Sequence, residues 1–583
     1  MLCSISASRI SEIPLALAGF TVPSKSAHAA NPPNAVRHVR VKKFGKMVIP
    51  IVGSKSRWGP VRRQLTWSCI AVVMLSACDI APKSRVIEPG QFVEGFVGGV
   101  SADEPRAAIA AREVLAKGGT AIDAAVALSF ALSVTYPVAA SLGGGGACLV
   151  YDSPTDVVEA IDFLPRAPVA GGAIAIPGTV RGLAALHSRY GRLPWGDLVA
   201  PAEVLARRGH PVSRALVRRL EGAKATIFDN SDLKAAFSNQ DGSGVLLEGD
   251  QLTQIALSAV LAQIRLRGPG EFYGGRAGVN LVNGARKNGG ALSLSDMRAS
   301  LPTWRKSVSL RNDRLSVHTT PVPIVGGVIA GQIWAMNLDE GRVLEIDQDE
   351  RPHLFAEAAS RAYLDRGNAA ARPLSDFRAH TLMRSYRSGE HTPLVVKGIP
   401  PVDIDNPELG TTSFVAADRE GSAVACTLTM GRELGAGKLD PVTGIVLVPP
   451  LTGDDLAFLT AILVVDEEVT EVVLAISASG NAAAPAATGH ALIGLSVEDL
   501  DVREKLDRPR ILHVGQPDAT LVEPGVDKSV VDSLRARDHT LKEAPLLGRV
   551  NAIYCPKGIS NGQGNCQFVS DRRSFGLALG EDF

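Results

Sequence analysis

Residues 121–134 form an almost wholly apolar run, which limits what the chain can fold into more than any other feature. Thr120 and Asp123 have the spacing of a capping-box variant, and two glycines end the segment before them, so the run is predicted to be a helix. A helix that is apolar on all sides is buried. Apolar residues make up 45% and charged residues 21% of the 583-residue chain, a globular composition. A large core is therefore expected.

The charges of the chain are almost balanced. Lys and Arg number 61 together, and Asp and Glu number 60. Proteins that bind nucleic acid usually concentrate basic residues on one face, and the single basic cluster, residues 37–46, lies in the N-terminal leader. The composition therefore predicts no nucleic-acid partner.

The N-terminal region has the pattern of a bacterial export signal. Arg62 and Arg63 precede an apolar run of 13 residues, which is too short to cross a bilayer as a helix. The run leads into Leu-Ser-Ala-Cys at residues 75–78, which resembles the lipobox of bacterial lipoproteins. Lipidation of Cys78 is therefore predicted, with an ordinary cleaved signal or an uncleaved anchor as the alternatives.

This signal predicts a location in the bacterial cell envelope, with the domain in the periplasm and a lipid anchor in the membrane. Asp79 resembles the inner-membrane retention signal of some lipoproteins, which favours the inner membrane. A signal belongs at the start of a chain, yet a long stretch precedes this one. Met47 lies closer to it, so residues 1–46 are expected to be an over-extended start or, alternatively, a long leader.

The cysteines do not form a disulfide framework, because seven are too few for a chain of this length. Cys148 and Cys426 lie in apolar runs and are predicted to be small core residues. Cys555 and Cys566 flank a turn that contains glycine and asparagine. A disulfide between these two is one possibility there, and two free thiols are the other.

Three local patterns predict structure near the start of the domain and in its middle. Asp103 is predicted to cap a helix that has Pro105 in its first turn. The glycines at residues 143–146 lack the Lys-Ser/Thr ending of a phosphate-binding loop and are predicted to serve close backbone packing. Residues 310–319 are predicted to be a strand.

A hairpin pattern in residues 411–429 carries the first chemical hypothesis. Two strand-like runs flank a turn centred near Glu420, and simple pairing then places Thr411 opposite Thr429. A polar, irregular stretch, residues 366–410, precedes the first strand. Two facing threonines are also ordinary strand composition, so the pattern alone does not establish a catalytic site.

Several motifs along the chain resemble those of the gamma-glutamyltransferase family. They occur in one order from about residue 95 to residue 579 and include the segment after the family's self-cleavage point. The matching segments are residues 118–127, 143–146, 149–152, 176–180, 190–195, 357–358, 365–366, 411–414 and 570–573.

The resemblance implies an α+β fold, the four-layer αββα sandwich of N-terminal-nucleophile hydrolases, with no metal and no cofactor. It also implies that the precursor cuts itself between Gly410 and Thr411. The expected products are a large subunit of residues 79–410 and a small subunit of residues 411–583, after a leader of residues 1–78.

The resemblance implies catalytic roles for four residues. Thr411 would be the nucleophile, with its own freed α-amine (reference pKa about 7.7–8.0) as the base. Thr429 would orient the Thr411 hydroxyl. Gly480 and Asn481 stand where the family has the glycine pair whose backbone N–H groups bind the oxyanion, so they are predicted to do the same.

The substrate-binding positions match the family less well. Leu164 stands where the family has the arginine that binds the substrate carboxylate, and Arg166 is predicted either to replace it or to be a surface arginine. Asp454 and Asp455 are predicted to bind the substrate amine or, alternatively, to form a solvated acidic turn. Ser479, beside the oxyanion segment, is also predicted to contact substrate.

The leading expectation is a self-processing amidase that hydrolyses or transfers γ-glutamyl groups from small molecules such as glutathione. One alternative is an acylase of the same fold for another acyl group, such as a dicarboxylic side chain. The loss of the arginine at position 164 together with a retained Thr411 would suit it. The other alternative is a non-catalytic envelope lipoprotein that binds a ligand and stays uncut.

Overall fold

A computed structural model describes residues 95–370, 374–404, 410–497, 501–560 and 566–580. The described residues form one compact unit. The predicted leader, its lipidation site Cys78 and Asp79 lie outside the described residues. Within the described ranges, no helix is both long and apolar enough to cross a membrane.

The strands are short and mostly buried. In chain order, β1 to β10 are Gly98–Ala102, Gly145–Asp152, Val157–Asp162, His210–Pro211, Gln251–Leu252, Thr303–Lys306, Val308–Asn312, Leu315–Thr319, Thr411–Asp418 and Ala423–Thr429. Strands β11 to β20 are Lys438–Asp440, Ile445–Leu447, Thr460–Asp466, Glu471–Ser479, Ile511–His513, Thr520–Val522, Leu541–Glu543, Arg549–Tyr554, Gln567–Ser570 and Leu577–Leu579.

Most of the helices lie in the first 410 residues. Helices α1 to α10 are Pro105–Ala116, Ala121–Thr135, Thr179–Tyr190, Trp195–Arg208, Arg214–Gly222, Lys224–Asp229, Ser231–Phe237, Ile255–Arg267, Gly270–Gly274 and Arg276–Lys287. Helices α11 to α19 are Leu294–Ala299, Gly326–Leu338, Arg342–Glu345, Arg351–Asp365, Asp376–Met383, Asp454–Ala457, Ala483–Val497, Val502–Asp507 and Lys528–Ala536.

Two antiparallel sheets form the centre of the molecule. The seven-stranded sheet has the order β20-β1-β9-β10-β2-β3-β6, and the six-stranded sheet has the order β19-β18-β14-β13-β8-β7. Side chains from both sheets, including Leu149, Val415, Leu463 and Ala475, share one buried apolar cluster. The two sheets therefore pack face to face.

A helical layer covers the outer face of each sheet. Helix α2, which the apolar run predicted, is buried along its whole length in the cluster of the seven-stranded sheet. Helices α12, α14 and α17 pack on the six-stranded sheet in a second cluster. The architecture is the predicted four-layer αββα sandwich, because each apolar helix needs a sheet on one side and further helices on the other.

Local details confirm some of the sequence predictions and correct one. Thr120 and Asp123 form the capping box of α2. The glycine run packs closely, since a Cβ atom at Gly145 would lie 2.3 Å from the Phe163 carbonyl oxygen. The single strand predicted for residues 310–319 is wrong, because a turn at Asp313 with φ 53° divides it into β7 and β8.

Two disulfides lie in the described part of the chain. Cys555 and Cys566 are joined, which settles the pairing that the sequence left open. Cys148 and Cys426 are buried, as predicted, but they are also joined to each other. The sequence did not predict this second bond, because its partners are 278 residues apart and only the sheet brings them together.

Candidate active site

The hairpin of β9 and β10 has the predicted register. Thr411 is the first residue of β9 and lies directly opposite Thr429, the last residue of β10. Both side chains are buried, at 4% and 1% exposure. The Thr429 hydroxyl accepts a hydrogen bond from the Gly431 backbone N–H at 3.0 Å. Thr411 therefore occupies a fixed position at the end of a central strand.

The predicted oxyanion donors lie beside Thr411. The Gly480 backbone N–H points at the Thr411 hydroxyl, with 3.4 Å between nitrogen and oxygen. Gly480 and Asn481 have φ values of 109° and 53°, and helix α17 begins two residues after Asn481. A helix N-terminus adds positive potential at that point. A negative oxygen formed next to the Thr411 hydroxyl would therefore meet the Gly480 N–H, which is already in place.

Gly410 fits a space that has no room for a larger residue. A Cβ atom there would lie 1.9 Å from the Arg432 carbonyl oxygen. The Gly410 carbonyl accepts a hydrogen bond of 2.7 Å from the Met430 backbone N–H. This hydrogen bond polarises the carbonyl next to Thr411 and holds it in one orientation.

Asp103 is the site residue that sequence reasoning missed. Its predicted capping role is wrong, because Glu104 caps helix α1. The buried Asp103 carboxylate instead accepts hydrogen bonds from four groups of the site. The donors are the Thr412 hydroxyl (3.0 Å), the Ser413 backbone N–H (3.0 Å), the Ser479 hydroxyl (2.8 Å) and the Asn551 side-chain amide (2.7 Å).

Asp103 therefore connects strand β9, which begins with Thr411, to the six-stranded sheet. Ser479 ends β14 and Asn551 lies in β18, so the carboxylate bridges the two layers. A sequence signal was present, since Asp103 and Glu104 are adjacent acids at the end of an apolar strand. Only one of them can cap the helix that follows, which leaves the other without a partner nearby in sequence.

A small recess opens beside Thr411. Its lining within the described residues consists of Thr411, Thr427, Asp455, Phe458, Leu459, Ala478, Ser479, Asn481 and Ala484, and it contains no basic side chain. Ser479 is in this wall, but its hydroxyl donates to Asp103. One side of the recess is apolar, formed by Phe458, Leu459, Ala478 and Ala484.

An apolar residue, Leu164, occupies the position at which the family has its carboxylate-binding arginine. Leu164 is buried in a small cluster with Ala147, Ile324 and Leu459, and Leu459 also lines the recess. The Arg166 guanidinium instead donates hydrogen bonds to Asp162 at 3.0 Å and Thr303 at 3.1 Å, and its side chain is 45% exposed. In this arrangement Arg166 is a surface ion-pair partner.

Of the two acidic residues predicted to bind the substrate amine, Asp455 lines the recess. Its carboxylate accepts a hydrogen bond from the Thr452 backbone N–H at 3.3 Å. Asp454 begins the short helix α16, and its side chain lies outside what the structure describes. Asp455 can therefore offer a negative charge to a substrate amine.

Four buried histidines and two acidic residues form a separate polar cluster, which we name the histidine cluster. Its members are His353, Glu357, His391, His513, Asp518 and His539. Every ring nitrogen of the four histidines hydrogen-bonds to a protein atom. The hydrogen bonds account for the whole donor and acceptor capacity of the rings, so we interpret the cluster as a structural junction rather than a metal centre.

The charges in the histidine cluster depend on one another. Burial disfavours ionisation of Glu357, but hydrogen bonds from His391 and Arg361 outweigh it and lower the pKa of Glu357 to about 2. Burial likewise opposes protonation of His391, and its bonds to Glu357 and Asp518 nevertheless raise its pKa. The two carboxylates on either side of the His391 imidazole therefore favour its protonated form.

The αββα sandwich, with a threonine at the start of a central strand, defines the class of N-terminal-nucleophile hydrolases. The gamma-glutamyltranspeptidase family model matches residues 107–452 and 456–580, and the chain belongs to this family. Membership makes it an enzyme of the gamma-glutamyltransferase type. Members of the family act on glutathione-type substrates and are processed into two subunits.

Similar proteins come from distant organisms. The glutathione hydrolase proenzyme of Escherichia coli is 28% identical over 548 residues, which cover 83% of this chain and 92% of that protein. Scoloptoxin SSD14 of Scolopendra dehaani is 26% identical, covering 77% of this chain and 87% of that protein. The cephalosporin acylase of Bacillus halodurans has a TM-score of 0.71 at 20% identity over 86% of this chain and 99% of its own, which supports the shared fold.

Proposed function

We propose that the chain is a self-processing N-terminal threonine amidase that transfers acyl groups from amides to water or to an amine. The position of Thr411 carries this proposal. Thr411 opens the central strand β9, follows a glycine whose carbonyl is held by the Met430 N–H, and has the Gly480 N–H 3.4 Å from its hydroxyl.

Self-processing begins when the Thr411 hydroxyl oxygen attacks the Gly410 carbonyl carbon. The carbon–nitrogen bond between the two residues then breaks, which leaves an ester on the Thr411 oxygen and a free α-amine. Water hydrolyses the ester and releases Gly410 as a new C-terminus. The hydroxyl and the amine that serves as its base then belong to one residue, so covalent bonds fix their geometry.

The mature enzyme repeats this chemistry on a substrate amide. The α-amine takes the hydroxyl proton as the Thr411 oxygen attacks the substrate carbonyl, and the N–H groups of Gly480 and Asn481 stabilise the negative oxygen. Each such donor contributes about 2.7–4 kcal/mol in other enzymes. The leaving amine takes the proton, and water or a second amine then releases the acyl group from Thr411.

Intact mass measurement and N-terminal sequencing test the proposal. A soluble form that lacks residues 1–78 is compared with its Thr411→Ala variant. We expect two fragments from the first, one of them beginning at Thr411, and a single uncut chain from the variant. An uncut chain from both after long incubation would contradict the proposal and favour a ligand-binding lipoprotein.

We propose γ-glutamyl amides such as glutathione as the first substrates to test, because relatives of this chain are glutathione hydrolases and Asp455 can bind the substrate α-amine. A second candidate is an acyl group that lacks the α-carboxylate. The burial of Leu164 beside the recess favours it, since a carboxylate there would lose its hydration without gaining a positive partner. Relative kcat/KM for γ-glutamyl and 4-aminobutyryl anilides, which differ only in the α-carboxylate, separates the two candidates.

We also propose that the enzyme works outside the cytoplasm, held to the cell envelope by lipid on Cys78. Disulfides persist in oxidising compartments, and the two in the described domain support this location. Membrane fractionation of the full chain and a Cys78→Ser variant tests the anchor. Loss of membrane association in the variant alone is the expected result, and equal association of both chains would contradict it.

A further inference from the structure

The disulfide between Cys148 and Cys426 joins two neighbouring strands of the seven-stranded sheet. Cys148 lies in β2 and Cys426 in β10, directly opposite each other in the antiparallel register. Both side chains are fully buried. The bond is therefore part of the packed core, unlike a surface cross-link.

The proposed cut falls between the two cysteines in sequence. Cys148 precedes Gly410, and Cys426 follows Thr411. We propose that this disulfide is the covalent junction between the large and small subunits of the mature enzyme. The inference rests on the self-cleavage proposed above, which would remove the peptide link between residues 1–410 and 411–583.

The junction is close to the catalytic residues. Three register positions further along the same strand pair, Thr429 of β10 lies opposite Gly145 of β2. The other edge of β10 pairs with β9, which begins with Thr411. The disulfide therefore fastens the hairpin that carries the nucleophile to the large subunit, on the side where the peptide link is lost.

The other described cysteine pair makes no such junction. Cys555 and Cys566 both follow Thr411, so their disulfide lies within the small subunit. Non-covalent contacts also cross the boundary, because the histidine cluster combines His353 and His391 with His513 and His539. A reductant added to the native protein is therefore expected to leave the two subunits together.

Formation of the bond is an oxidation that needs a partner. Thiol–disulfide exchange with a donor disulfide transfers two electrons from the Cys148 and Cys426 thiols to the donor, which leaves as two thiols. The two thiol protons go to the donor sulfurs or to solvent. Once the core has closed around the bond, no thiolate can reach either sulfur, so reduction requires unfolding.

Electrophoresis in detergent of the purified full chain, with free thiols alkylated, tests the junction. The wild-type chain should run as one species without reductant and as two fragments with it. Cys426→Ser should give two fragments under both conditions. Cys555→Ser is the matched control and should behave as the wild type, while Thr411→Ala should stay a single chain throughout.

The two proposals fail in different ways. Two wild-type fragments without reductant would overturn the junction and leave self-cleavage intact. A single wild-type chain even with reductant would overturn self-cleavage and, with it, the junction between subunits. Proteolytic mapping of the unreduced wild type does not depend on any variant, and recovery of Cys148 and Cys426 as separate alkylated peptides would overturn the bond itself.

Discussion

The two sides of the recess are built in different ways. On the nucleophile side, the Asp103 carboxylate gathers donors from two sheets, and backbone groups of Gly410 and Gly480 hold the atoms next to Thr411. On the acyl side, Leu164 and Leu459 belong to a small apolar cluster. Hydrogen bonds fix positions on one side, whereas packing alone shapes the other.

Because of this difference, we expect substitutions on one side of the recess to affect the reaction itself and substitutions on the other side to affect substrate selectivity. A change on the nucleophile side breaks several buried hydrogen bonds at once, each costing about 1–3 kcal/mol. A change on the acyl side alters the volume and charge of a pocket, and the rest of the fold tolerates it. Such a site can keep its chemistry while its substrate changes, and four substitutions test this account, from the largest expected effect to the smallest.

Gly410→Ala should abolish self-cleavage. The new Cβ atom would lie 1.9 Å from the Arg432 carbonyl oxygen, so the scissile carbonyl must move away from the Thr411 hydroxyl. Intact mass after prolonged incubation measures the outcome. Gly389→Ala is the matched control, because a Cβ atom there meets nothing within 4 Å. Normal cleavage of Gly410→Ala would contradict the proposed geometry of the cut.

Asp103→Ala should slow self-cleavage by about 100-fold or more, because displacement of reacting groups by about 1 Å has an effect of that size. Four donors lose their shared acceptor, and β9 loses its link to β14 and β18. Asp296→Ala, which removes a buried helix-capping carboxylate outside the site, is the control. A wild-type cleavage rate in Asp103→Ala would mean that this carboxylate does not position the nucleophile.

Leu164→Ala should leave self-cleavage within about twofold of wild type and lower kcat/KM for the preferred amide by about 10- to 100-fold, since lost apolar contacts weaken acyl binding. Leu164→Met, which conserves volume, should stay close to wild type. Equal kcat/KM for all three chains would show that the apolar cluster lies outside the acyl site.

Arg166→Ala should change kcat/KM by less than about fivefold for every substrate, because exposed ion pairs contribute about 0–1 kcal/mol. Its guanidinium is committed to Asp162 and Thr303. A large loss confined to γ-glutamyl substrates would instead assign Arg166 to the substrate carboxylate, and the two sides of the recess would then be equally polar.

The sequence predicted the parts of this site that depend on local pattern. The hairpin turn sets the register of Thr411 and Thr429, and the apolar run at residues 121–134 required layers on both sides. The family resemblance singled out Gly480 and Asn481, and the structure has both residues beside Thr411. In each case the information lies within a short segment or a recognisable motif.

The parts that the sequence did not predict depend on distant pairings. Asp103 has a plausible local role as a helix cap, and nothing nearby indicates that its partner is Asn551. Cys148 and Cys426 are separated by 278 residues. The exposed Arg166 side chain likewise donates a hydrogen bond to Thr303, which reaches it only when β3 pairs with β6. For each of these residues, the local sequence is compatible with both the predicted role and the observed one. Only the tertiary structure shows which role the residue has.

The order of the strands in the sheet also determines at what stage of synthesis and folding the site around Thr411 can form. Strands that precede Thr411 in the sequence are interleaved in the seven-stranded sheet with strands that begin at or follow it. The Asp103 network also needs Asn551, which is near the end of the chain. A ribosome-bound chain that has reached only Thr411 lacks the second half of its own active site. The self-cleavage proposed above would therefore require that synthesis and folding are both complete, and the cut fraction of a preparation would measure its maturity.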